Sequence, residues 1–229
     1  MHFDLVKQFW CVLKTLFAPV LVAMLCACTT TSFQSRTPEY TGTTPVSAIY
    51  VYSFLDLRQG SLGKNFLAEV KRQLTDALAQ DGIRTKQLWF NDSPLSGQFS
   101  LEATGPNPSN TTTRVPIEEV IKATQEDERV FGASHRLIVF PSAVMSANTG
   151  ASFDIRWDLV DSQTNKVTWA TKSFSYHTKW FLGDENPQKR AATFVQGLMA
   201  KLHKSKVIRS PDAQPGVPAD LRHNAGEGR

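Results

Sequence analysis

Cysteine is almost missing from this 229-residue chain, and its three examples, Cys11, Cys26 and Cys28, all lie near the N-terminus. Nothing after Cys28 can form a disulfide, a thiolate zinc cluster or a cysteine nucleophile. His135, His177 and His203 fall on different elements, without the His-x3-His or His-Glu-x-x-His spacing of metal sites. Charge imbalance is small too. Lys and Arg number 25 against 21 Asp and Glu, a net charge of +4, too mild for a nucleic-acid footprint. Ser142 has no Gly-x-Ser-x-Gly elbow around it, so a catalytic triad has no support. Gly60-Ser61-Leu62-Gly63-Lys64-Asn65 lies where phosphate loops occur. A Walker A loop would need glycine where Arg58 stands and Ser or Thr where Asn65 stands, so the segment reads as a turn feeding a helix.

The longest apolar run is Thr15 to Ala27, TLFAPVLVAMLCA, preceded by Lys7 and Lys14. A spanning helix needs about 20 apolar residues, and this run is shorter, contains Pro19 and lacks a basic flank on its far side. A charged start, a short apolar stretch and small residues at the end describe a secretory signal segment over residues 1–27.

The residues closing that run, Leu25-Cys26-Ala27-Cys28, resemble the lipobox of bacterial lipoproteins: aliphatic at −3, small at −1, cysteine at +1. The resemblance implies cleavage between Ala27 and Cys28, an S-diacylglyceryl group on the Cys28 thiol and an acyl chain on its amine. Cys26 at −2 is a second thiol, and Asp4 dilutes the basic start; neither breaks the pattern. Thr29 stands where Asp would favour the inner membrane, which implies the outer one. No other cofactor is expected.

Residues 28–45 are polar and rich in Thr, Ser and Pro, and read as a lipidated flexible tether spanning roughly 23 Å root-mean-square. Residues 46–208 read as one α/β domain. Val46 to Leu55 is apolar on both alternating faces, as in a strand buried on two sides. Helices are expected from about Leu62 to Gln80, from Pro116 to Phe131, and from Pro187 onward with Asp184 or Asn186 as cap. Strands are expected at Arg84 to Phe90, Arg136 to Pro141, Phe153 to Leu159 and Val167 to Tyr176, the last pair forming a hairpin. Apolar parity in the final strand changes between Trp169 and Phe174, which implies a bulge or two-sided burial. Between them, 91–115 reads as a long loop, with a short strand possible at Phe99–Leu101. Residues 209–229, rich in Pro and Gly, read as a disordered tail. The expected architecture is a mixed sheet of about five strands covered by three helices, in the order β-α-β-α-β-β-β-α.

That order, with Gly132-Ala133-Ser134-His135-Arg136-Leu137-Ile138-Val139 at a helix-to-strand passage and the Trp157-to-Trp169 hairpin, resembles the domain of the TolB N-terminal region, of LpoB-type activators and of CsgG-type secretion lipoproteins. The resemblance implies a non-enzymatic, periplasm-facing module that binds an envelope protein, as regulator or assembly factor of cell-wall or secretion machinery. Its alternatives are a subunit of a homo-oligomeric secretion complex and, behind both, a cell-wall hydrolase. Trp89-Phe90 and Trp180-Phe181 are the candidate interface anchors, since Trp is enriched at interfaces, but core packing, or a hydrophobic staple for Phe181, is the favoured reading. Asp154, Asp158 and Asp161 read as the solvated face of a strand followed by a turn.

Overall fold

The computed structural model describes residues 30–37, 39–96, 98, 102–107, 110–114, 117–147, 150–178 and 186–208. The signal segment, the acceptor Cys28 and the tail 209–229 lie outside them. Eight strands are described: β1 (Thr30–Ser35), β2 (Ala48–Ser53), β3 (Arg84–Trp89), β4 (Glu102–Asn107), β5 (Asn110–Arg114), β6 (His135–Ala147), β7 (Gly150–Asp161) and β8 (Val167–Thr178). They form one mixed sheet in the order β1-β8-β7-β6-β2-β3, and the β4–β5 hairpin joins it on the far end of β6. The class is α/β.

β2 is the spine. It pairs in parallel with β3 and β6, and all six of its residues are buried. Its alternation divides the interior in two. Ile49 and Val51 join one core, while Tyr50 and Tyr52 join another on the opposite face. The first core is covered by α1 (Lys64–Gln80) and α3 (Pro187–Lys204). Phe66, Leu67, Val70, Leu74 and Leu78 recur at helical spacing along α1, and Phe194, Leu198 and Leu202 do so along α3. Each large apolar side chain buried this way contributes about 1.5–3 kcal/mol. Phe194 holds the layers together, its ring centroid 5.8 Å from Phe66 and 5.4 Å from Trp157 of the sheet. α3 begins where the sequence asks it to. The Asn186 side chain accepts from the amides of Gln188 and Lys189 at 2.9 and 3.3 Å, with Pro187 in the first turn.

The second core is thinner and more polar. α2 (Ile117–Phe131) fully buries only Val120 among its apolar residues, along with the carboxylate of Glu128. Tyr52 Oη donates to Glu128 Oε2 at 2.8 Å, Arg136 Nε to Glu128 at 2.7 Å and Ser162 Oγ to Glu128 Oε1 at 2.9 Å. One turn edge further, Asp127 accepts from Tyr50 Oη at 2.7 Å and from Lys86 Nζ at 2.6 Å. The helix is therefore fastened by charge-assisted hydrogen bonds where apolar area is short.

Three expectations need correction, and a fourth, the bulge in the last strand, is borne out. The sheet has eight strands, not about five. The expected tether is, from Thr30, part of the sheet: β1 pairs antiparallel with β8, and Thr37 and Thr41 then donate backbone N–H groups to Ala170 and Thr168 at 3.0 and 2.9 Å. An edge strand needs backbone partners rather than an apolar alternation, so its sequence stays polar; Phe33 alone reaches the core. Residues 91–115 are not simply loop, since β4 and β5 pair within them, while 99–101 lie outside the described residues. In β8, the register passes from Leu159↔Trp169 to Val160↔Val167, so Thr168 is the extra residue of a bulge. Beyond it Trp169, Thr171, Ser173 and Ser175 face inward, and Phe174 points out. Ser173 is inward because its hydroxyl accepts from Trp157 Nε1 at 2.9 Å.

Two substitutions test this account. Glu128→Gln leaves the Arg136 guanidinium buried against a neutral partner, and urea denaturation should show a loss of about 3 kcal/mol. Gly197→Ala should lower the melting temperature although alanine is the better helix former. Its Cβ would meet Phe33 Cε2 at 2.7 Å, so amide exchange in β1 should accelerate as that strand is pushed off α3.

Candidate functional site

The structure places the sequence-derived site residues unevenly. Trp89 and Phe90 are 4% and 0% exposed, so they are not surface anchors. The chain crosses the sheet between them. Trp89 joins the α1–α3 core, its Nε1 donating to Gln87 Oε1 at 2.9 Å, while Phe90 joins the α2 core against Phe54. Trp180, Phe181, Ala27 and Cys28 lie outside the described residues. Asp154, Asp158 and Asp161 are not a cluster. Asp161 closes the β7–β8 turn, accepting from the amides of Thr164 and Gln163 at 2.8 and 2.9 Å. The Thr164 amide is the main cause that lowers its carboxyl to about 2. Asp158 is buried, not solvated, and pairs with Arg156 at 2.6 Å. His135 is buried with its Nε2 2.8 Å from Tyr40 Oη, and burial pushes its pKa below the usual imidazole range. That contact latches the segment after β1 onto β6. Among the described residues, no group of three or more His, Cys, Asp or Glu is placed to hold a metal ion, and no helix is long and apolar enough to cross a membrane.

Three surface features remain. The first is a rim. Thr30 pairs with Tyr176, Tyr176 with Ser152, Ser152 with Met145, and Met145 with Asn110. These residues form one row across five strands, roughly 19 Å long at the usual strand spacing, and β6, β7 and β8 run two residues beyond it. Met145 is 61% exposed there. Thr30 is two residues from Cys28, a reach of at most about 7 Å.

The second is the outer face of β7, β8 and β1. Arg156 and Asp158 form one ion pair there, and Lys172 and Asp154 another at 2.7 Å. Phe174, opposite Asp154 and Ser32 in the register, is 43% exposed. The Arg156 guanidinium lies 5.5 Å from the Phe140 ring centroid. Phe174 is thus an exposed aromatic beside two ion pairs that are closed within the chain.

The third is a pocket of about 440 Å³ between α1 and the end of β3. It lies beside the carboxyl ends of the parallel strands β2 and β3, against the flank of α1. Asp56, in the 3-10 turn Leu55–Arg58 that follows β2, is among its lining residues. Asp56 Oδ2 accepts from the Asn91 amide at 2.6 Å, and its backbone carbonyl accepts from Asn91 Nδ2 at 2.7 Å. Oδ1 is buried with no hydrogen-bond partner among the described residues. Burial, outweighing the Asn91 hydrogen bond, raises the carboxyl to about 6. Leu67, Ala68 and Trp89 supply apolar wall, and Lys64 and Lys71 reach it from α1. Sequence reading missed this site. The one available signal was an acid isolated among Phe54, Leu55 and Leu57.

The raised pKa has a definite sign. The native state holds the Asp56 proton more tightly than the unfolded chain, so the stability from this group is full below about 4 and is lost as pH rises through about 6. Asp56→Asn cannot titrate. The stability difference between the variant and the parent should therefore shift in favour of the variant by about 2–3 kcal/mol from pH 4 to pH 8. Urea unfolding of both proteins at the two pH values measures it.

No family model and no curated protein matches the chain. Among solved structures, a PelC dodecamer from Paraburkholderia phytofirmans is similar at 12% identity and a TM-score of 0.40, over 79% of this chain and 100% of that one. Lipoprotein GNA1162 from Neisseria meningitidis is similar at 12% identity and a TM-score of 0.39, over 69% of this chain and 99% of that one.

Proposed function

We propose that the chain is a lipid-anchored protein of the outer membrane, facing the periplasm, whose domain acts by binding another envelope protein and not by catalysis. The observation that carries this reading is the position of Thr30. A lipobox-like cysteine lies two residues before the first residue of the sheet. Lipid on Cys28 would bring the rim of Thr30, Tyr176, Ser152 and Met145 against the bilayer surface. Each buried methylene contributes about 0.8 kcal/mol to such anchoring, and several chains make it nearly permanent. Held so, the domain presents the outer face of β7, β8 and β1 sideways, with Phe174 at its centre. This reading replaces the flexible tether with a strand, so the face offered to a partner has a fixed height and direction.

Fractionation tests the anchor. Cys28→Ser should move the protein from the membrane fraction to the soluble one and abolish its lipid-dependent mass increase; a variant that keeps both refutes the lipid assignment. A photo-crosslinking residue at Phe174 tests the face. In intact cells it should yield a discrete crosslinked envelope protein, whereas the same residue at Val130, 72% exposed on α2, should not.

A further inference from the structure

The two ends of the sheet differ in charge. Where β3 and β6 begin and β7 ends, Arg84, Lys86, Arg136, Asp158 and Asp161 are all in place. Toward the Thr30 end, no Asp, Glu, Lys or Arg stands at any described position of β1, at 144–147 of β6, 150–153 of β7, 173–178 of β8 or 110–113 of β5. With 20% of the whole chain charged, so bare an end is a feature of the fold and not of the composition. The first charges back from it are Asp154 and Lys172, and they pair with one another at 2.7 Å. We propose that this end of the sheet is itself a lipid-binding surface, seated in the headgroup layer of a phospholipid bilayer with the Met145 side chain at the acyl boundary. The proposal rests on the lipid anchor at Cys28 proposed above and adds to it a second membrane contact, made by the folded domain.

A bilayer surface selects this composition. A charge moved toward hydrocarbon gives up hydration that lipid does not replace, whereas Ser and Thr hydroxyls can donate to phosphate and ester oxygens. Directly opposed residues share one face of a sheet, so Met145, Ser152 and Tyr176 lie side by side across β6, β7 and β8. Met145 is 61% exposed there, and an unbranched thioether adapts to disordered surroundings. Tyr176 is half-buried, and tyrosine, with an apolar body and a polar tip, is enriched at membrane interfaces. Lys and Arg, which would draw the surface to anionic lipids, are missing from every described position of this end, so the contact does not depend on headgroup charge.

The position of the anchor names the occupant. Thr30, paired with Tyr176, is two residues from Cys28, so acyl chains on that cysteine and the row through Met145 meet the same bilayer. One methionine and one tyrosine hold lipid weakly by themselves. A link this short to an inserted lipid keeps them at an effective concentration on the order of millimolar, and the contact then sets orientation more than residence. The row lies along the membrane and the strands rise from it. At roughly 3.3 Å per residue along β8, Phe174 stands about 7 Å above Tyr176 and Val167 about 30 Å above it.

A depth measurement tests this. Cys11 and Cys26 precede the expected cleavage point and lipid occupies Cys28, so Met145→Cys, Phe174→Cys and Val167→Cys each give the lipidated protein one free thiol. All three positions are exposed, and substitutions there leave the fold intact. Each variant is labelled with an environment-sensitive fluorophore and reconstituted into vesicles of phosphatidylethanolamine and phosphatidylglycerol, with or without brominated acyl chains. The label at 145 should shift to the blue and be quenched roughly twofold or more by bromine, the label at 174 less, and the label at 167 not at all. Exchanging phosphatidylglycerol for phosphatidylcholine, or adding salt, should leave that order unchanged. Flotation of the vesicles reads the anchor separately. Protein that does not float refutes the anchor and this contact together. Protein that floats with its 145 label as unquenched as its 167 label refutes the contact and leaves the anchor standing. Equal quenching at all three positions, or quenching that vanishes with phosphatidylglycerol, also overturns the proposal.

Discussion

Glu128 is a carboxylate that the protein has taken almost entirely out of water, and the α2 side of the sheet depends on how it is satisfied. Tyr52, Arg136 and Ser162 all donate to it, from β2, from β6 and from the turn after β7. Removing a charge from water costs several kcal/mol, and the mutual attraction of a buried pair often does no more than offset that cost. What the arrangement supplies is position. A helix that fully buries only Val120 among its apolar side chains could slide on a greasy surface. It cannot slide here without leaving a guanidinium and a phenol unpaired. The neighbouring Asp127, held by Tyr50 and Lys86, repeats the constraint one residue earlier.

The same strand that supplies those tyrosines turns Ile49 and Val51 to the opposite side, where adhesion is of the ordinary apolar kind. β2 therefore joins two differently built halves. On one, α1 and α3 interlock through Phe66, Phe194 and Trp157 with many interchangeable contacts. On the other, a few directional bonds define the geometry. Asp56 stands where this spine ends. Its turn leaves β2 and must cross to α1, and Asn91 from the end of β3 ties it down. The pocket is thus a by-product of two parallel strands ending together beneath a helix, and the buried Asp56 carboxylate beside it costs the fold stability at neutral pH.

How much of this could be read from the sequence follows from what each element needs. The α1 stripe, the double-faced run of β2, the Phe153-to-Leu159 alternation and the Asn186-Pro187 helix start are recognisable because burial imposes a period or a cap on them. β1, β4 and β5 are not, because a strand at or near a sheet edge is held by backbone bonds that any polar residue makes. TTSFQS and NTTTR carry no period to detect. Trp89-Phe90 was ambiguous for another reason: two adjacent aromatics cannot share one face of a strand. The resolution, one in each core, needs the second core to be known. The Asp56 pocket is assembled from a turn, a helix and a strand end, so no window of sequence contains it.

The pairing of β1 with β8 also decides how the domain bears load. A pull on the chain ahead of Thr30 acts along the axis of β1, and the hydrogen bonds to β8 lie across that axis. All the pairs from Thr30↔Tyr176 to Ser35↔Thr171 must then give way together, in shear, instead of opening one at a time from an end. Phe33, wedged beside Gly197 of α3, adds a stop partway along. The N-terminal strand is in mechanical terms a tang driven into its handle.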